Sequence, residues 1–394
     1  GKDRTLNKPV MLPTETVAAP VLVTVATDET TQTDRMLVFN DGSITNDTGT
    51  LTVSTLNDLG MSAGGINYYG LEVTELLLGQ GDDNISINTT SIAVNGNFQF
   101  TNTGASNTIA RTDGGNWRTD GYRDGDAIIV SNAVSNNGRY FIESISTDGL
   151  TLTLTNAVAL TSTLTAARIT RESPITVAHG GGGSDNITIS GTDTVNTPLI
   201  VYGDTSQDGS RYIGSTTVKS LNPVSFANAG NDVINASAST AGVVIYGGAG
   251  NDTITGSQGN DHIAGGSGTD NINGQGGNDH IYGDSGINAD LSARLTQSPQ
   301  VLTMVTADAS VNPNKDDLTI SADTLSGGDG NDIVIGDHGV ISQYRVNLPD
   351  DLRILTTGNV QSVSTVITAD GGGDTINGDA GDDVLLGGFG TETI

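Results

Sequence analysis

The chain contains no cysteine, and aromatic residues make up only 4% of its 394 positions. The lack of cysteine excludes disulfide bonds, so any small domain in the chain has to be stabilised in another way. The scarcity of aromatic side chains leaves little large apolar surface for an ordinary core. No apolar run approaches the roughly 18 residues of a membrane-spanning helix, and we therefore expect no membrane span.

Basic residues are also scarce. The chain has 16 Lys and Arg against 45 Asp and Glu, which gives a net charge of −29. Such a charge argues against binding to nucleic acid or to anionic membrane surfaces. No basic residue occurs between Lys219 and Arg294, although Asp residues recur throughout that stretch. Folding brings these carboxylates together without a counter-charge of their own, so we expect a bound cation to contribute folding energy.

Glycine is abundant, with 54 residues, and it follows a strict pattern in one region. Four nine-residue units run without a gap over 247–282 and read GGAGNDTIT, GSQGNDHIA, GGSGTDNIN and GQGGNDHIY. Each has Gly fourth, Asp sixth and Ile eighth. The Ile position is the only regularly apolar one and must face inward. One Ile per unit predicts a thin core.

The spacing within a unit joins a glycine-rich turn to a strand of three residues. Glycine permits the positive φ and the close backbone approach that such a turn requires. Carbonyl oxygens then point inward, and the Asp that closes the turn adds a carboxylate. A ligand set made only of oxygen suits a hard cation, above all calcium. The sequence therefore predicts several bound Ca²⁺ ions.

Further units lie outside the central block. Their ligand positions are Asp83 (78–86), Asp185 (180–188), Asp232 (227–235), Asp332 (327–335), Asp374 (369–377) and Asp383 (378–386), and the last unit, 387–394, has Glu392 at this position. The unit that begins at Gly283-Asp284 is split, because its second half follows only at Asp323. We infer a roll that the chain re-enters after excursions, with β-arms projecting from its turns.

Short alternating stretches such as VLVTVAT (21–27) predict an all-β protein. A hairpin is expected at Asn40-Asp41-Gly42. Residues 91–172 hold the only Trp and several other aromatics, and predict an inserted β-barrel or sandwich. The predicted segments are an N-terminal extended segment (1–60), a strand lead-in with the first unit (61–90), the inserted domain (91–172), a roll re-entry with an excursion (173–226), the calcium-binding roll (227–286), a β-arm (287–322), roll (323–339), a second β-arm (340–368) and the C-terminal roll (369–394).

The repeated units resemble those of the repeats-in-toxin (RTX) family. The resemblance implies a parallel β-roll with GGxGxDxUx units, in which two units form one coil and calcium lies between turns 18 residues apart. It implies that Asp252 pairs with Asp270 and that Asp261 pairs with Asp279. The carbonyl oxygens implied to complete these shells lie near Gly248, Gly250, Gly259, Gly266, Gly268 and Gly277.

Two further segments resemble parts of bacterial surface proteins. Residues 57–90 are similar to a segment that precedes the rolls of very large surface proteins, and the 91–172 insert looks similar to small β-modules of phage-tail and surface proteins. Members of the RTX family are usually secreted by type I systems and fold outside the cell. The resemblance thus implies an extracellular or cell-surface location.

Three functions follow as hypotheses. The first is a non-enzymatic, calcium-stabilised segment or subunit of a surface fibre, sheath or layer, with self-association or contact to neighbouring repeats. The second is an adhesin stalk in which the insert or the arms bind glycans or cell surfaces. The third is the secretion and folding module of a larger secreted enzyme. Because the final unit stops at Ile394, one residue short, we expect a piece of a longer polypeptide or a subunit covered by a neighbour.

Two motifs suggest other chemistry. Gly60-Met61-Ser62-Ala63-Gly64 matches the nucleophile elbow of hydrolases, but that elbow requires a following helix, which the sequence does not predict. His262 and His280 are 18 residues apart, and we expect them to stack on an outer edge of the roll, where a solvated ladder is favoured over metal ligation.

Overall fold

A computed structural model describes residues 4–10, 21–27, 34–61, 64–71, 73–155, 159–191, 199–206, 229–288, 303–305, 316–343, 360–366 and 371–394. Every regular element in these ranges is a β-strand, which confirms the all-β prediction. The described residues include no helix long and apolar enough to cross a membrane. The chain divides into two compact units, one of 1–35, 68–72 and 91–174, and one of 36–67, 73–90 and 175–394.

The strands, in chain order, are β1 (Arg4–Val10), β2 (Val21–Thr27), β3 (Arg35–Phe39), β4 (Thr48–Thr52), β5 (Thr55–Asp58), β6 (Ile66–Asn67), β7 (Val73–Leu77), β8 (Asn84–Asn88), β9 (Ala93–Asn102), β10 (Asn107–Arg111), β11 (Ala127–Ser131), β12 (Gly138–Ile145), β13 (Thr151–Leu154), β14 (Thr163–Arg171), β15 (Ile175–His179), β16 (Asn186–Gly191), β17 (Leu199–Tyr202), β18 (Val233–Ser239), β19 (Val244–Ala249), β20 (Thr253–Thr255), β21 (His262–Ser267), β22 (Asn271–Asn273), β23 (His280–Tyr282), β24 (Gly286–Asn288), β25 (Thr303–Val305), β26 (Thr324–Asp329), β27 (Ile333–Ile335), β28 (Gly339–Gln343), β29 (Val360–Thr365), β30 (Thr375–Ala380) and β31 (Val384–Leu386).

The first unit contains a closed antiparallel barrel with the strand order β10-β13-β12-β11-β14-β9. Its core includes Trp117, which stacks on Phe98 with ring centroids 5.5 Å apart. The hydroxyl of Tyr122, buried in the same core, donates to the carbonyl oxygen of Ile169 at 2.6 Å. The barrel therefore has an aromatic core of its own. Strands β1 and β2 form a separate antiparallel pair.

The second unit is a roll made of two sheets. Nine strands form one sheet in the order β3-β7-β15-β17-β19-β21-β23-β27-β31, and ten form the other in the order β30-β26-β22-β20-β18-β16-β8-β4-β5-β6. Strands of successive coils pair in parallel, except that β4, β5 and β6 pair antiparallel at one end. The hairpin predicted at Asn40-Asp41-Gly42 is wrong. A turn exists there, with the Ser43 amide bonded to the Asn40 carbonyl at 2.9 Å, but β3 and β4 on either side belong to different sheets.

Insertions do not break the stacking of coils. In the uninterrupted block Ile263 pairs with Ile281, 18 residues later, and Ile281 then pairs with Val334 of β27. Ile272 likewise pairs with Leu325 of β26. Two antiparallel pairs, β24–β25 and β28–β29, begin shortly after β23 and β27, where the chain leaves the roll. The chain thus departs between coils and returns in register.

The expectation of a thin core holds for one sheet only. In β20 and β22 the central Ile is buried and the preceding residue is exposed, whereas all three residues of β23 and of β27 are buried. Alternate side chains point to opposite faces of a strand, so Tyr246 and Tyr282 lie on the outer face of the nine-stranded sheet. There they belong to one cluster with Ile287, Leu318 and Ile341. Segments inserted between coils therefore cover this face and build a second core.

The same cover corrects the expectation for two histidines. His262 and His280 lie opposite each other in the register of β21 and β23, with ring centroids 4.6 Å apart. Both are buried rather than solvated. Burial lowers the pKa of His262 well below its usual value, and the nearby His280 lowers it further. The two histidines therefore lie in the interior, and the prediction that they stack on an outer edge of the roll is wrong.

Candidate metal centre

One edge of the roll carries a continuous series of bonds between turn carboxylates, which we call the first ladder. The backbone amide of Asp232 donates to Oδ1 of Asp252 at 2.8 Å, and the amide of Asp252 donates to Oδ1 of Asp270 at 2.8 Å. The same bond joins Asp47 to Asp83, Asp83 to Asp185, Asp185 to Asp232, Asp270 to Asp323, Asp323 to Asp374 and Asp374 to Oε2 of Glu392.

A second ladder occupies the opposite edge. The amide of Asp261 donates to Oδ1 of Asp279 at 2.8 Å. The series continues from Asp279 to Asp332 at 2.8 Å and from Asp332 to Asp383 at 3.0 Å. It begins at Val243, whose amide donates to Oδ1 of Asp261 at 2.7 Å. Alternate turns of the uninterrupted block therefore belong to different ladders, because each coil contributes one turn to each edge.

The other carboxylate oxygen is the notable feature of these turns. Among the described residues, no hydrogen-bond donor reaches this buried oxygen in eight members of the first ladder and in two of the second. The oxygens concerned are Oδ2 of Asp83, Asp185, Asp232, Asp252, Asp270, Asp279, Asp323, Asp332 and Asp374, and Oε1 of Glu392. A buried charged oxygen with neither a hydrogen bond nor a nearby positive charge costs roughly several kcal/mol of folding free energy. The roll therefore needs a positive charge at these positions.

Asp261 is an exception within the uninterrupted block. Its Oδ2 accepts from the amide of Ser257 at 2.6 Å, and its Oδ1 accepts from the Ser257 hydroxyl at 2.7 Å. Ser257 occupies the second position of its unit, where Gly248 and Gly266 stand in two of the other units. This serine partly replaces a cation in stabilising the carboxylate.

The raised pKa values of the ladder carboxyls reflect the same lack of a compensating positive charge. Burial, followed by the charge of Asp252, raises the pKa of Asp270 to about 9. Burial, followed by the charge of Asp261, raises the pKa of Asp279 to about 9. Burial raises the pKa of Asp185 and of Asp323 to about 8. These carboxylates can all be ionised at neutral pH only if a cation compensates their burial.

Backbone oxygens converge on the same places. A Cβ atom added to Gly247 would lie 2.2 Å from Oδ2 of Asp252 and 2.6 Å from the carbonyl oxygen of Gly265 in the next coil. A Cβ atom on Gly265 would lie 2.2 Å from Oδ2 of Asp270 and 2.6 Å from the carbonyl oxygen of Gly283. Glycine at the first position therefore leaves room for the carboxylate and the stacked carbonyl to approach one another.

The fifth residue of the unit has a separate task. Oδ1 of Asn231 accepts from the amide of Asn251 at 2.7 Å, and Oδ1 of Asn251 accepts from the amide of Thr269 at 2.9 Å. On the other edge Oδ1 of Asn260 accepts from the amide of Asn278 at 2.8 Å. These bonds point to the following coil, whereas each Asp accepts from the preceding one. In these three units the amide of the fifth residue thus bonds to a neutral Asn side chain and not to a carboxylate. The Asp therefore keeps one oxygen free.

The residues fit calcium better than a transition metal. The described part of the chain holds no group of three or more His, Cys, Asp or Glu side chains placed to bind a metal. Any cation in the turns must therefore take most of its ligands from backbone carbonyls, a hard oxygen set that calcium prefers. The carbonyls of Gly248, Gly250 and Gly259 each lie against the glycine one coil later, namely Gly266, Gly268 and Gly277.

The structure places every predicted acidic ligand on one of the two ladders. Asp252 and Asp270 are adjacent, as are Asp261 and Asp279. Two further positions were absent from the predicted ligand set, namely Asp47 and Asp323. Glu392, which stands where the repeat has Asp, also joins the first ladder. Asp323 could have been found, because it opens the second half of a split unit. The serine of the hydrolase-like motif, Ser62, lies outside the described residues.

Comparison with known proteins supports this interpretation of the repeats. The family model of the RTX calcium-binding nonapeptide repeat matches in four copies, at residues 244–272, 255–288, 319–339 and 364–394. The chain therefore carries RTX calcium-binding nonapeptide repeats over these residues, as predicted. No curated protein matches the chain.

One solved structure shows a weak similarity to this chain. The Gp54 tailspike of Acinetobacter baumannii bacteriophage AP22, in complex with A. baumannii capsular saccharide, is 8% identical to this chain, with a TM-score of 0.18. The match covers 80% of this chain and 51% of the tailspike, so the chain spans about half the length of that protein. At this TM-score the similarity carries no argument about fold or function.

Proposed function

We propose that this RTX-repeat chain is an extracellular structural protein without enzymatic activity, a segment or subunit of a bacterial surface fibre, sheath or layer that calcium stabilises. The observation that carries the proposal is the continuity of the first ladder. It runs from Asp47 to Glu392 through every insertion between the coils. Each coil is thus tied to the next by a group that requires a cation.

The energetic consequence supports a structural role. In a solenoid each repeat contacts only its neighbours, so a stabilising interface repeated along the axis strengthens the whole array. A cation that binds the folded turns and not the unfolded chain raises the free energy of unfolding, and this gain grows with the logarithm of the cation concentration above the Kd. Calcium then acts as a permanent part of the roll, present wherever its concentration is high, as it is outside the cell.

Electron microscopy of the purified chain, with millimolar calcium and with excess chelator, tests this function. Calcium should produce ordered assemblies that chelator disperses. The double variant Asp270→Asn, Asp279→Asn, which removes one carboxylate from each ladder, should assemble only at higher calcium. A wild-type chain that stays monomeric in millimolar calcium at high concentration contradicts the proposal.

A second candidate function is adhesion through the barrel. The observation in its favour is that the barrel has its own aromatic core around Trp117, so its loops do not need the calcium ladder for their shape. Deletion of residues 91–172 should then abolish attachment to cells or glycans while calcium still folds the roll. Equal attachment by the deletion variant contradicts this alternative. A catalytic motif elsewhere in a longer parent chain would instead favour the secretion module of an enzyme.

A further inference from the structure

Three Gly-Asp pairs stand at the ends of strands after which the chain leaves the regular coil. They are Gly203-Asp204 after β17, Gly283-Asp284 after β23 and Gly336-Asp337 after β27. In β19 and β21 the equivalent second positions are Gly248 and Gly266. In the uninterrupted unit 378–386 the position holds Asp379, which is exposed. Among the described residues a buried Asp at this position thus occurs where a turn is interrupted, and the repeat pattern does not explain it.

The side chain of Asp284 closes the interrupted turn. Its Oδ1 accepts from the backbone amide of Ser321, 37 residues later, at 2.9 Å. Ser321 lies two residues before Asp323, with which the chain re-enters the first ladder. The carboxylate of Asp284 therefore joins the point of departure to the point of return. Asp204 makes a related bond, because its Oδ2 accepts from the amide of Ala249 in the following coil at 2.8 Å.

Both residues retain an oxygen without a hydrogen-bond donor among the described residues. Asp284 is 0% exposed and its Oδ2 has no donor, and Asp204 is 6% exposed and its Oδ1 has none. The neighbouring ladder carboxylates, Asp323 and Asp232, are in the same state, with exposures of 2% and 1%. Each of these two turns thus holds two buried carboxylates with a free oxygen, where an uninterrupted turn holds one.

The backbone geometry places the two carboxylates of a turn beside each other. A Cβ atom on Gly283, the residue before Asp284, would lie 2.3 Å from Oδ2 of Asp323 and 2.0 Å from the carbonyl oxygen of Gly336. A Cβ atom on Gly203, the residue before Asp204, would lie 2.2 Å from Oδ2 of Asp232 and 2.2 Å from the carbonyl oxygen of Gly247. Each of these turns therefore brings carbonyl oxygen as well as carboxylate oxygen together.

Two other buried aspartates show that this state is specific. Asp316 accepts from the Tyr246 hydroxyl, the Ser267 hydroxyl and two backbone amides, so donors surround it. Asp337, at the third Gly-Asp pair, accepts from the Gly372 amide through Oδ1 and from the Phe389 amide through Oδ2. Hydrogen-bond donors therefore satisfy both residues without a cation, although both are buried, as Asp204 and Asp284 are.

We propose that the turns at Asp284–Asp323 and Asp204–Asp232 are two-carboxylate calcium sites, distinct from the single-carboxylate turns, and that they fasten the inserted segments to the roll. The proposal rests on the calcium role proposed above. Calcium affinity rises with the number of charged ligands. These two sites should therefore fill at lower calcium than the uninterrupted turns, and the return of the chain at Ser321 should become ordered first.

The test compares Asp284→Asn with Asp337→Asn in the full chain, by calorimetric titration with calcium. Asparagine keeps the Oδ1 acceptor for the Ser321 amide and removes the charge. Asp284→Asn should lose one site from the tightest class, whereas Asp337→Asn should keep every site, because both Asp337 oxygens have donors. The affinity in Asp337→Asn should change only slightly, since the charge of Asp337 also acts on Asp284. Hydrogen exchange at the Ser321 amide gives a second readout, with calcium protecting it in the wild type and not in Asp284→Asn.

Wild-type stoichiometry and affinity in Asp284→Asn, together with normal protection of Ser321, overturn the proposal. If circular dichroism shows that Asp284→Asn does not fold in saturating calcium, Asp204→Asn decides the matter by the same titration. A wild-type chain that binds no calcium and keeps its strands in chelator refutes the proposed function as well. Calcium-dependent folding of the wild type with an unaltered variant refutes only the two-carboxylate sites.

Discussion

The amide of Asp252 donates to Oδ1 of Asp270 at 2.8 Å, and Oδ2 of the same Asp270 is buried with no donor among the described residues. One carboxylate therefore both joins two coils and creates a demand for positive charge. Since the arrangement repeats along the ladder, the stacking of the roll and its need for a cation have the same origin.

The two ladders should behave as separate chains of coupled sites. Asp261→Ala should weaken calcium binding at the site shared with Asp279 more than at any site involving Asp270, because Asp261 and Asp279 are bonded in the second ladder and Asp270 lies in the first. In a double-mutant cycle on the free energy of unfolding in calcium, Asp261 and Asp279 should couple by at least about 0.5 kcal/mol, while Asp261 and Asp270 should add within about 0.5 kcal/mol. Equal coupling in both pairs contradicts two separate ladders.

Without calcium, the roll should be more stable at pH 5 than at pH 8. The carboxyl pKa values of Asp270 and Asp279 are raised by burial to about 9, against about 3.9 in an unfolded chain. A raised value stabilises the fold below the unfolded pKa, and this contribution is lost as the pH rises towards the folded pKa. Circular dichroism of calcium-stripped protein checks the direction, because the roll, unfolded at pH 8, should regain strand signal as the pH falls to 5.

In saturating calcium the urea midpoint of the roll should not fall between pH 5 and pH 8, since the cation binds the ionised carboxylates. Calcium-stripped protein whose strand signal increases with pH over this interval contradicts the assignment of these carboxyls as uncompensated.

Glycine in the turns should be replaceable only where the backbone is open. Gly268 has a φ of +120°, and its added Cβ would lie 1.8 Å from the carbonyl oxygen of Gly250. Gly276→Ala is the matched control, because the nearest atom to its added Cβ is 3.5 Å away and its φ is not in the left-handed region. We expect Gly268→Ala to cost about 3 kcal/mol or more and Gly276→Ala less than about 1 kcal/mol. Thermal unfolding in calcium distinguishes them, and equal melting temperatures contradict the stacked carbonyl geometry.

Chelation should unfold the roll and leave the barrel intact. Trp117, the only tryptophan, lies in the barrel core at 0% exposure, and no ladder carboxylate belongs to that unit. Tryptophan emission should therefore stay constant while the strand signal in circular dichroism falls. A red shift of the emission in chelator, at the midpoint of the circular dichroism change, shows instead that the two units unfold together.

The sequence predicted the repeating part of this architecture because the unit fixes its own chemistry. Gly at the fourth position, Asp at the sixth and Ile at the eighth determine a turn, a ligand and an inward side chain. The pairs Asp252–Asp270 and Asp261–Asp279 follow from the two units per coil that the resemblance to the RTX family implies. The split unit at Gly283-Asp284 was also visible, since its second half resumes at Asp323.

Other features depend on contacts that no local pattern encodes. The outer core of the nine-stranded sheet, with Tyr246 and Tyr282, forms only because inserted segments return onto it, so His262 and His280 become buried against expectation. A weak signal existed, because Ala264 and Tyr282 make the ninth position apolar in alternate units. Asp47 joins the first ladder without belonging to any recognisable unit, and only its position beside Asp83 reveals it.

Hydrogen exchange of the strand amides in the full chain tests the dependence of the roll on calcium most directly. With millimolar calcium, the amides of β19–β23 should exchange slowly. In excess chelator they should exchange at rates near those of an unfolded chain, while the amides of β9–β14 in the barrel keep their protection. Equal protection of β19–β23 with and without calcium would contradict the account, because the buried oxygens of Asp252, Asp270 and Asp279 would then be tolerated without a cation.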